Sequence, residues 1–103
     1  MGPPLPLRIH GLPEDLDVTE VHFWRPRPND DTGWDLVMFY AKTDKTSVTI
    51  RVGLKPMSDG SCDSANGLHV CVQAQNRGDA DDLLGRITLL GPDESRWTTN
   101  VVT

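Results

Sequence analysis

The chain is divided into seven short runs of β-branched and aromatic residues, each interrupted by Gly, Pro, Asn or Asp. Such runs are typical of strands in a β-sandwich or β-barrel. They occupy residues 7–12, 18–24, 34–41, 47–54, 68–74, 83–90 and 96–102. The pattern predicts an all-β fold, namely an antiparallel β-sandwich of about seven strands with immunoglobulin-like or fibronectin-like architecture, and a small β-barrel is the alternative. Only residues 79–84 allow a helix, of one turn at most.

A length of 103 residues fits one domain of ordinary size. We predict a single β-sandwich domain over residues 1–103, in which the Pro-rich residues 1–6 form a flexible N-terminal segment. No apolar run approaches the ~18 residues that a membrane span needs. The net charge of −5 disfavours nucleic acid and anionic membranes as partners. The expected partner is therefore another protein, preferably with a basic surface, and self-association is a further option.

Apolar alternation indicates which side chains face the interior. In residues 47–54 and 68–74, apolar residues recur at every second position, as expected for strands with one buried face, so the first run predicts that Leu54 also faces inward. We expect the turn residues 43–46 to join 34–41 and 47–54 in a β-hairpin. The predicted core comprises Phe23, Leu36, Met38, Val48, Ile50, Val52, Val70, Val72, Ile87 and Leu89.

The two cysteines are predicted to be reduced. Cys62 lies in a stretch rich in Gly, Ser and Asp, and Cys71 lies in a predicted strand nine residues later. A bridge would add roughly 2.5–3 kcal/mol of stability. Without other secretory signals, however, the composition favours a reducing compartment.

Two long connections, 25–33 and 55–67, are expected to lie at one end of the sandwich. If every strand crosses the fold from end to end, successive connections alternate between the two ends. Long connections in compact domains are often functional, so this end is the predicted working surface.

Aspartates in these connections form the first candidate site. Asp30, Asp31, Asp59 and Asp63 would give that end a negative potential that steers a basic partner. Carboxylates from loops also bind hard cations. Because Asp is favoured in turns for its own hydrogen bonding, and no EF-hand spacing is present, we predict no metal and no other cofactor.

Trp24, Arg25 and Arg27 form the second candidate site. Trp24 is the aromatic residue expected to be most exposed, and exposed tryptophans anchor protein interfaces or stack on sugars. The Arg25-Pro26-Arg27-Pro28 segment is interpreted as an extended crossover, with an SH3-type ligand as the alternative.

Catalysis finds little support in the sequence. The three histidines, His10, His22 and His69, are predicted to face outward on separate strands, and no nucleophile elbow, zinc motif or P-loop occurs. Residues 77–79 read Arg-Gly-Asp, the tripeptide of integrin ligands, in a predicted loop between strands; three residues are weak support for that function.

The sequence therefore predicts a non-catalytic protein-interaction module that uses residues 25–33 and 55–67. A structural subunit or appendage domain of a larger assembly, such as a virion or a cell-surface array, is the alternative. A carbohydrate-binding module comes third.

Overall fold

The chain folds mostly into β-strands that form two antiparallel sheets, as predicted. The computed structural model describes residues 4–10, 17–23, 36–42, 47–56, 58 and 60–101. The strands are β1 (Leu7–Ile9), β2 (Asp17–Phe23), β3 (Val37–Lys42), β4 (Ser47–Gly53), β5 (Ser61–Ala65), β6 (Leu68–Ala74) and β7 (Ile87–Leu89). One α-helix, α1 (Arg77–Leu84), and a 3-10 turn (Glu94–Arg96) complete the elements.

The larger sheet has five strands in the order β2-β3-β4-β6-β5. Paired residues share a face, so Phe39, Ile50 and Val72 form one row across the three central strands. All three are fully buried. This inner face carries the hydrophobic core. The predicted hairpin is present as β3 and β4, and β2 and β5 form the two edges of an open sheet, so the described strands do not close into a barrel.

The core is covered by β1, β7 and α1. Leu7 and Ile9 on β1, Leu89 on β7 and Leu83 on α1 are buried in the same cluster as the inner face of the large sheet. This two-layer arrangement gives the chain a single core over its described residues.

Backbone hydrogen bonds to residues 98 and 101 extend the small sheet beyond the pairing of β1 with β7. Leu5 and Thr98 exchange two backbone hydrogen bonds of 2.8 and 3.0 Å, and Ile9 donates to the carbonyl oxygen of Val101 at 2.7 Å. Leu5 and Pro6 are buried. Apolar burial and backbone pairing thus hold Leu5 and Pro6, the last two residues of the segment 1–6 that was predicted to be flexible; residues 1–3 lie outside the described part.

The predicted core is confirmed on β4 and β6 and wrong in part elsewhere. Val48, Ile50, Val52, Val70 and Val72 are buried, as is Leu89 on β7. On β3 the buried set is Val37, Phe39 and Ala41, while Leu36 and Met38 are half-buried, as is Ile87. The sequence around 34–41 is apolar at nearly every position, so alternation there does not indicate which face is inside.

Phe23 was also predicted in the core and is instead exposed. Strand β2 carries a bulge between Thr19 and His22, where Glu20 has a φ of 51°. Phe23 pairs with Val37 and so lies on the inner face, but it is the last residue of the edge strand β2 within the described part of the chain. Its position at a corner of the sheet leaves its ring without full cover.

The region 55–67 was predicted as one long loop, and this is wrong because it contains β5. Asn66 and Gly67 have φ values of 54° and 81°, the pair of positive φ angles that a two-residue type I′ hairpin turn requires. The turn pairs Ala65 with Leu68 and brings β5 alongside β6. The small polar residues of β5 gave no hydrophobic alternation.

Cys62 and Cys71 form a disulfide bond, so the prediction of reduced thiols is wrong. The hairpin places the two residues directly opposite each other, with Cα atoms 4.1 Å apart. That separation is nearer to the ~4.5 Å of a non-hydrogen-bonded antiparallel pair than to the ~5.5 Å of a hydrogen-bonded one. Closing this short loop stabilises the hairpin by about 2.5 kcal/mol. The expectation of a reducing compartment loses its main support.

Residues 77–84 form two turns of helix where a strand connection with at most one helical turn was expected. Asn76 caps the helix, since its side-chain oxygen accepts from the backbone N–H of Gly78 at 2.8 Å. Ala80 and Leu83 point into the core, which explains why the helix lies against β5 and β6. The strand predicted at 83–90 shrinks to β7, and in the described residues 96–101 of the one predicted at 96–102 the pairing is an isolated bridge between Thr98 and Leu5.

Candidate functional site

One end of the five-stranded sheet gathers the exposed apolar side chains. The register places Phe23 opposite Val37, and Val37 opposite Val52, so β2 ends where β4 ends. Leu54 follows directly after β4, and the Asn66–Gly67 turn lies at the same end because Gly53 pairs with His69. We call the surface formed by Phe23, Leu54 and this turn the Phe23 end.

Phe23 and Leu54 are the two large hydrophobic residues that the described part of the chain leaves exposed, at 42 % and 41 %. Single exposed apolar residues are ordinary on protein surfaces. Two at one end of a sheet, beside the connection that follows β2, are more informative, because clustered apolar exposure marks interaction sites.

The turn at this end is held from the other layer. The side-chain amide of Asn66 donates to the carbonyl oxygen of Leu89 at 2.8 Å. The indole Nε1 of Trp97 donates to the carbonyl oxygen of Gly91 at 3.0 Å. Trp97 is half-buried by this contact, rather than placed in a seventh long strand as predicted. The Asn66–Gly67 turn is therefore tied to the small sheet by the Asn66 side chain, and the Trp97 bond fastens the segment after β7 within that second layer.

Most of the predicted site residues lie outside the described part of the chain. Trp24, Arg25, Arg27, Asp30 and Asp31 follow β2, and Asp59 precedes β5. The sequence thus attaches the first five to the strand that ends at Phe23. The predicted grouping of the two long connections stays a prediction for these residues, although the ends of β2 and β4 from which the connections start do lie together.

Asp63 is the one predicted site residue that the structure describes. It is exposed on β5, opposite Val70, rather than in a loop. Its Oδ1 accepts a hydrogen bond from the backbone N–H of Ser64 at 2.8 Å. The carboxylate therefore satisfies one backbone N–H of the edge strand, and charged side chains at such an edge hinder its pairing with another chain.

A concave surface lies between α1 and the beginning of β5. This open cleft has a volume of about 650 Å³. It is lined by Ser58, Gly60, Ser61, Val72, Gln73, Ala74, Arg77 and Ala80. Ser61 is buried, and its hydroxyl donates to Oδ1 of Asp81 on α1. Gly60 has a φ of 92°, and a side chain there would collide with the carbonyl oxygen of Val72.

The Arg-Gly-Asp tripeptide lies in the first turn of α1, not in a loop as predicted. Arg77, Gly78 and Asp79 are exposed, but the backbone of Gly78 is committed to the Asn76 cap and that of Asp79 to the carbonyl oxygen of Asn76 at 3.1 Å. Asn, Gly and Asp favour turns and so predict a loop here, but Asn is also a preferred N-cap, and in this chain these residues begin a helix.

The surface of α1 is acidic. Asp79, Asp81 and Asp82 are exposed, and Arg86 pairs with Asp82 at 3.2 Å in an i, i+4 arrangement.

Hydrogen bonds from the side chain and the backbone N–H of Ser95 lower the pKa of Asp93 below its ordinary value. This site is a cap of the 3-10 turn rather than a reactive group.

The three histidines lie on β2, on β6 and directly after β1. His22 and His69 lie on the outer face of the large sheet, since they pair with Met38 and Gly53, and His10 contacts the hydroxyl of Thr88 at 3.0 Å. Among the described residues, no three His, Cys, Asp or Glu side chains are grouped so as to hold a metal ion. Within the same residues no helix has the length and apolarity to cross a membrane. The non-catalytic function stays a prediction.

No protein-family model matches the chain, and neither a curated protein nor a solved structure matches it.

Sequence reasoning missed Leu54 and β5. Leu54 continues the alternation of β4 and so was assigned to the buried face; the strand ends one residue earlier. The signal for β5 was present in Asn66-Gly67, the dipeptide most characteristic of a two-residue hairpin.

Proposed function

We propose that this domain is a non-catalytic protein-interaction module that binds its partner through the Phe23 end. The observation that carries the proposal is the exposure of Phe23 and Leu54 at the end of the sheet from which the connection after β2 departs. The immunoglobulin-like or fibronectin-like sandwich belongs to the same proposal, as the scaffold that presents this end.

The partner that fits is a protein segment with an apolar anchor flanked by Lys or Arg. An apolar anchor would cover Phe23 and Leu54, and interfaces gain most from a few buried apolar or aromatic contacts. The connection that follows Phe23 holds Arg25 and Arg27 as well as Asp30 and Asp31, so the preference for a basic partner rests on the net charge of −5 of the whole chain. Complementary charge around the anchor would raise the association rate.

A double variant, Phe23→Ser with Leu54→Ser, tests the proposal. Both side chains are more than two-fifths exposed, so the fold should be retained, which circular dichroism and thermal unfolding would verify. The matched control is Lys42→Ser with Gln75→Ser, two exposed residues at the opposite end of the sheet. Binding proteins are first identified by crosslinking to the wild-type domain. The dissociation constant of each protein retained by crosslinking is then measured for the wild type and for both double variants.

Loss of affinity by tenfold or more in the Phe23 end variant, with the control unchanged, is the expected result. Equal binding by both variants would remove the Phe23 end from the function. Light scattering on the purified domain addresses the alternative, since an assembly subunit self-associates without any partner, whereas a binding module remains monomeric.

A further inference from the structure

The disulfide bond is asymmetric in its access to solvent. Cys62 is an exposed residue of the edge strand β5, whereas Cys71 is 1 % exposed on β6, the next strand inward. Thiol–disulfide exchange begins with attack of a thiolate on one sulfur, and access decides which sulfur is attacked. The greater exposure of Cys62 therefore favours its Sγ as the point of attack by an external thiol.

The bridge also has a distinct mechanical role. Strand β5 reads Ser-Cys-Asp-Ser-Ala, and of these residues only Ser61 is buried. The strand thus contributes little apolar burial of its own to the fold. Its other described attachments are the ladder with β6, the hydrogen bond from Ser61 to Asp81, and the Asn66–Gly67 turn.

We propose that Cys62–Cys71 is a thiol–disulfide exchange site whose reaction partner is a dithiol reductant of the oxidoreductase class. The reductant's thiolate bonds to Cys62 Sγ while the Cys62–Cys71 bond breaks. The electron pair of the broken bond stays on Cys71 Sγ, which takes up a proton. The second thiol of the reductant then displaces Cys62 as a thiol. Two electrons pass to the protein disulfide, and the reductant becomes a disulfide.

Reduction releases the edge strand and leaves the rest of the sheet in place. Strand β6 keeps its full ladder with β4, from Val48 paired with Ala74 to Gly53 paired with His69. Its inward residues Leu68, Val70 and Val72 are buried beneath the second layer. Opening of β5 therefore uncovers the backbone of β6 as a new edge, and unprotected edges of apolar strands accept further strands.

The first test maps the site of attack. The folded full-length chain is incubated with reduced glutathione, free thiols are blocked by alkylation, and the adducts are located by fragmentation mass spectrometry. Glutathione on Cys62 with alkylated Cys71, in at least tenfold excess over the opposite arrangement, is the expected result. Equal amounts, or glutathione mainly on Cys71, would overturn the proposal.

The second test measures what reduction does to the fold. Hydrogen exchange is compared before and after treatment with dithiothreitol, and the Cys62→Ser, Cys71→Ser double variant serves as the permanently open form. We expect amides of β5 to exchange at least tenfold faster in both, with β3 and β4 unchanged and no response of the variant to dithiothreitol. Global unfolding on reduction, or unchanged exchange in β5, would contradict the proposal. Neither test involves Phe23 or Leu54, so a failure of the disulfide proposal can be distinguished from a failure of the proposed binding function.

Discussion

Ser61 on the edge strand donates its hydroxyl hydrogen to Asp81 on the helix, and the two ends of this hydrogen bond have very different surroundings. Ser61 is 6 % exposed, whereas Asp81 is an exposed residue of α1. If the Ser61 hydroxyl is removed, water can hydrogen-bond to the exposed Asp81 carboxylate in its place. If the Asp81 carboxylate is removed, the buried Ser61 hydroxyl gains little from water.

This asymmetry predicts unequal effects from removing either partner. Asp81→Ala leaves a buried hydroxyl unsatisfied and should lower the free energy of unfolding by about 1–3 kcal/mol. Ser61→Ala removes the buried polar atom itself and should cost less than Asp81→Ala. Chemical denaturation of both single variants and of the double variant measures the difference. A larger loss for Ser61→Ala would contradict the argument that the buried Ser61 hydroxyl depends on Asp81 more than Asp81 depends on Ser61.

Gly60 and Gly67 share a positive φ but differ in the space around them. A methyl group at Gly67 would find its nearest neighbour, Cδ of Pro92, at 3.7 Å, so Gly67→Ala should cost about 1–2 kcal/mol for the backbone conformation alone. At Gly60 the same group would also collide with the carbonyl oxygen of Val72, so Gly60→Ala should cost clearly more. Equal losses in urea unfolding would contradict the described path of the chain into β5.

Ile50 occupies the centre of the inner face and is fully buried between Phe39 and Val72. Ile50→Ala should lower the free energy of unfolding by about 2–4 kcal/mol, because it removes apolar contacts and leaves a cavity. Ser47→Ala, at an exposed position of the same strand, is the control and should change stability by no more than about 0.5 kcal/mol. Similar losses for the two would show that the faces of β4 are assigned the wrong way round.

Asp93 provides a prediction for pH. Its pKa is lowered in the folded chain, chiefly by the Ser95 hydroxyl, so the ionised form is favoured by folding. This stabilisation is present above the ordinary pKa of an unfolded aspartate and is lost as the pH falls through the lowered value. Ser95→Ala should move the Asp93 pKa upward in a carbon-detected NMR titration. An unchanged pKa would assign the shift to other causes.

The central part of the fold could be predicted because its sequence alternates. Val48, Ile50, Val52, Val70 and Val72 lie at every second position of two strands, and a buried face accounts for them all. Around Met38 the sequence is apolar on both sides, so pattern alone could not separate Leu36 and Met38 from Val37 and Phe39.

The edge strand and the disulfide depend on contacts that hydrophobic pattern does not encode. Strand β5 is polar, and it is positioned by a turn, a bridge and a helix that lies elsewhere in the sequence. The working surface was predicted from connection lengths, whereas the Phe23 end is formed by Phe23, Leu54 and the Asn66–Gly67 turn, and the sequence placed Phe23 and Leu54 in the interior. Their exposure results from where β2 and β4 end, which is a tertiary property.

A hydrogen-exchange footprint of the bound partner tests the central claim most directly. The domain is compared with and without a protein retained in the crosslinking experiment, and protection is followed along the whole chain. We predict protection of the amides at Phe23, Leu54, Asn66 and Gly67, with no change beside the opposite end at Lys42, Ser47 and Gln75. Protection confined to that opposite end would contradict the assignment of the Phe23 end as the binding surface.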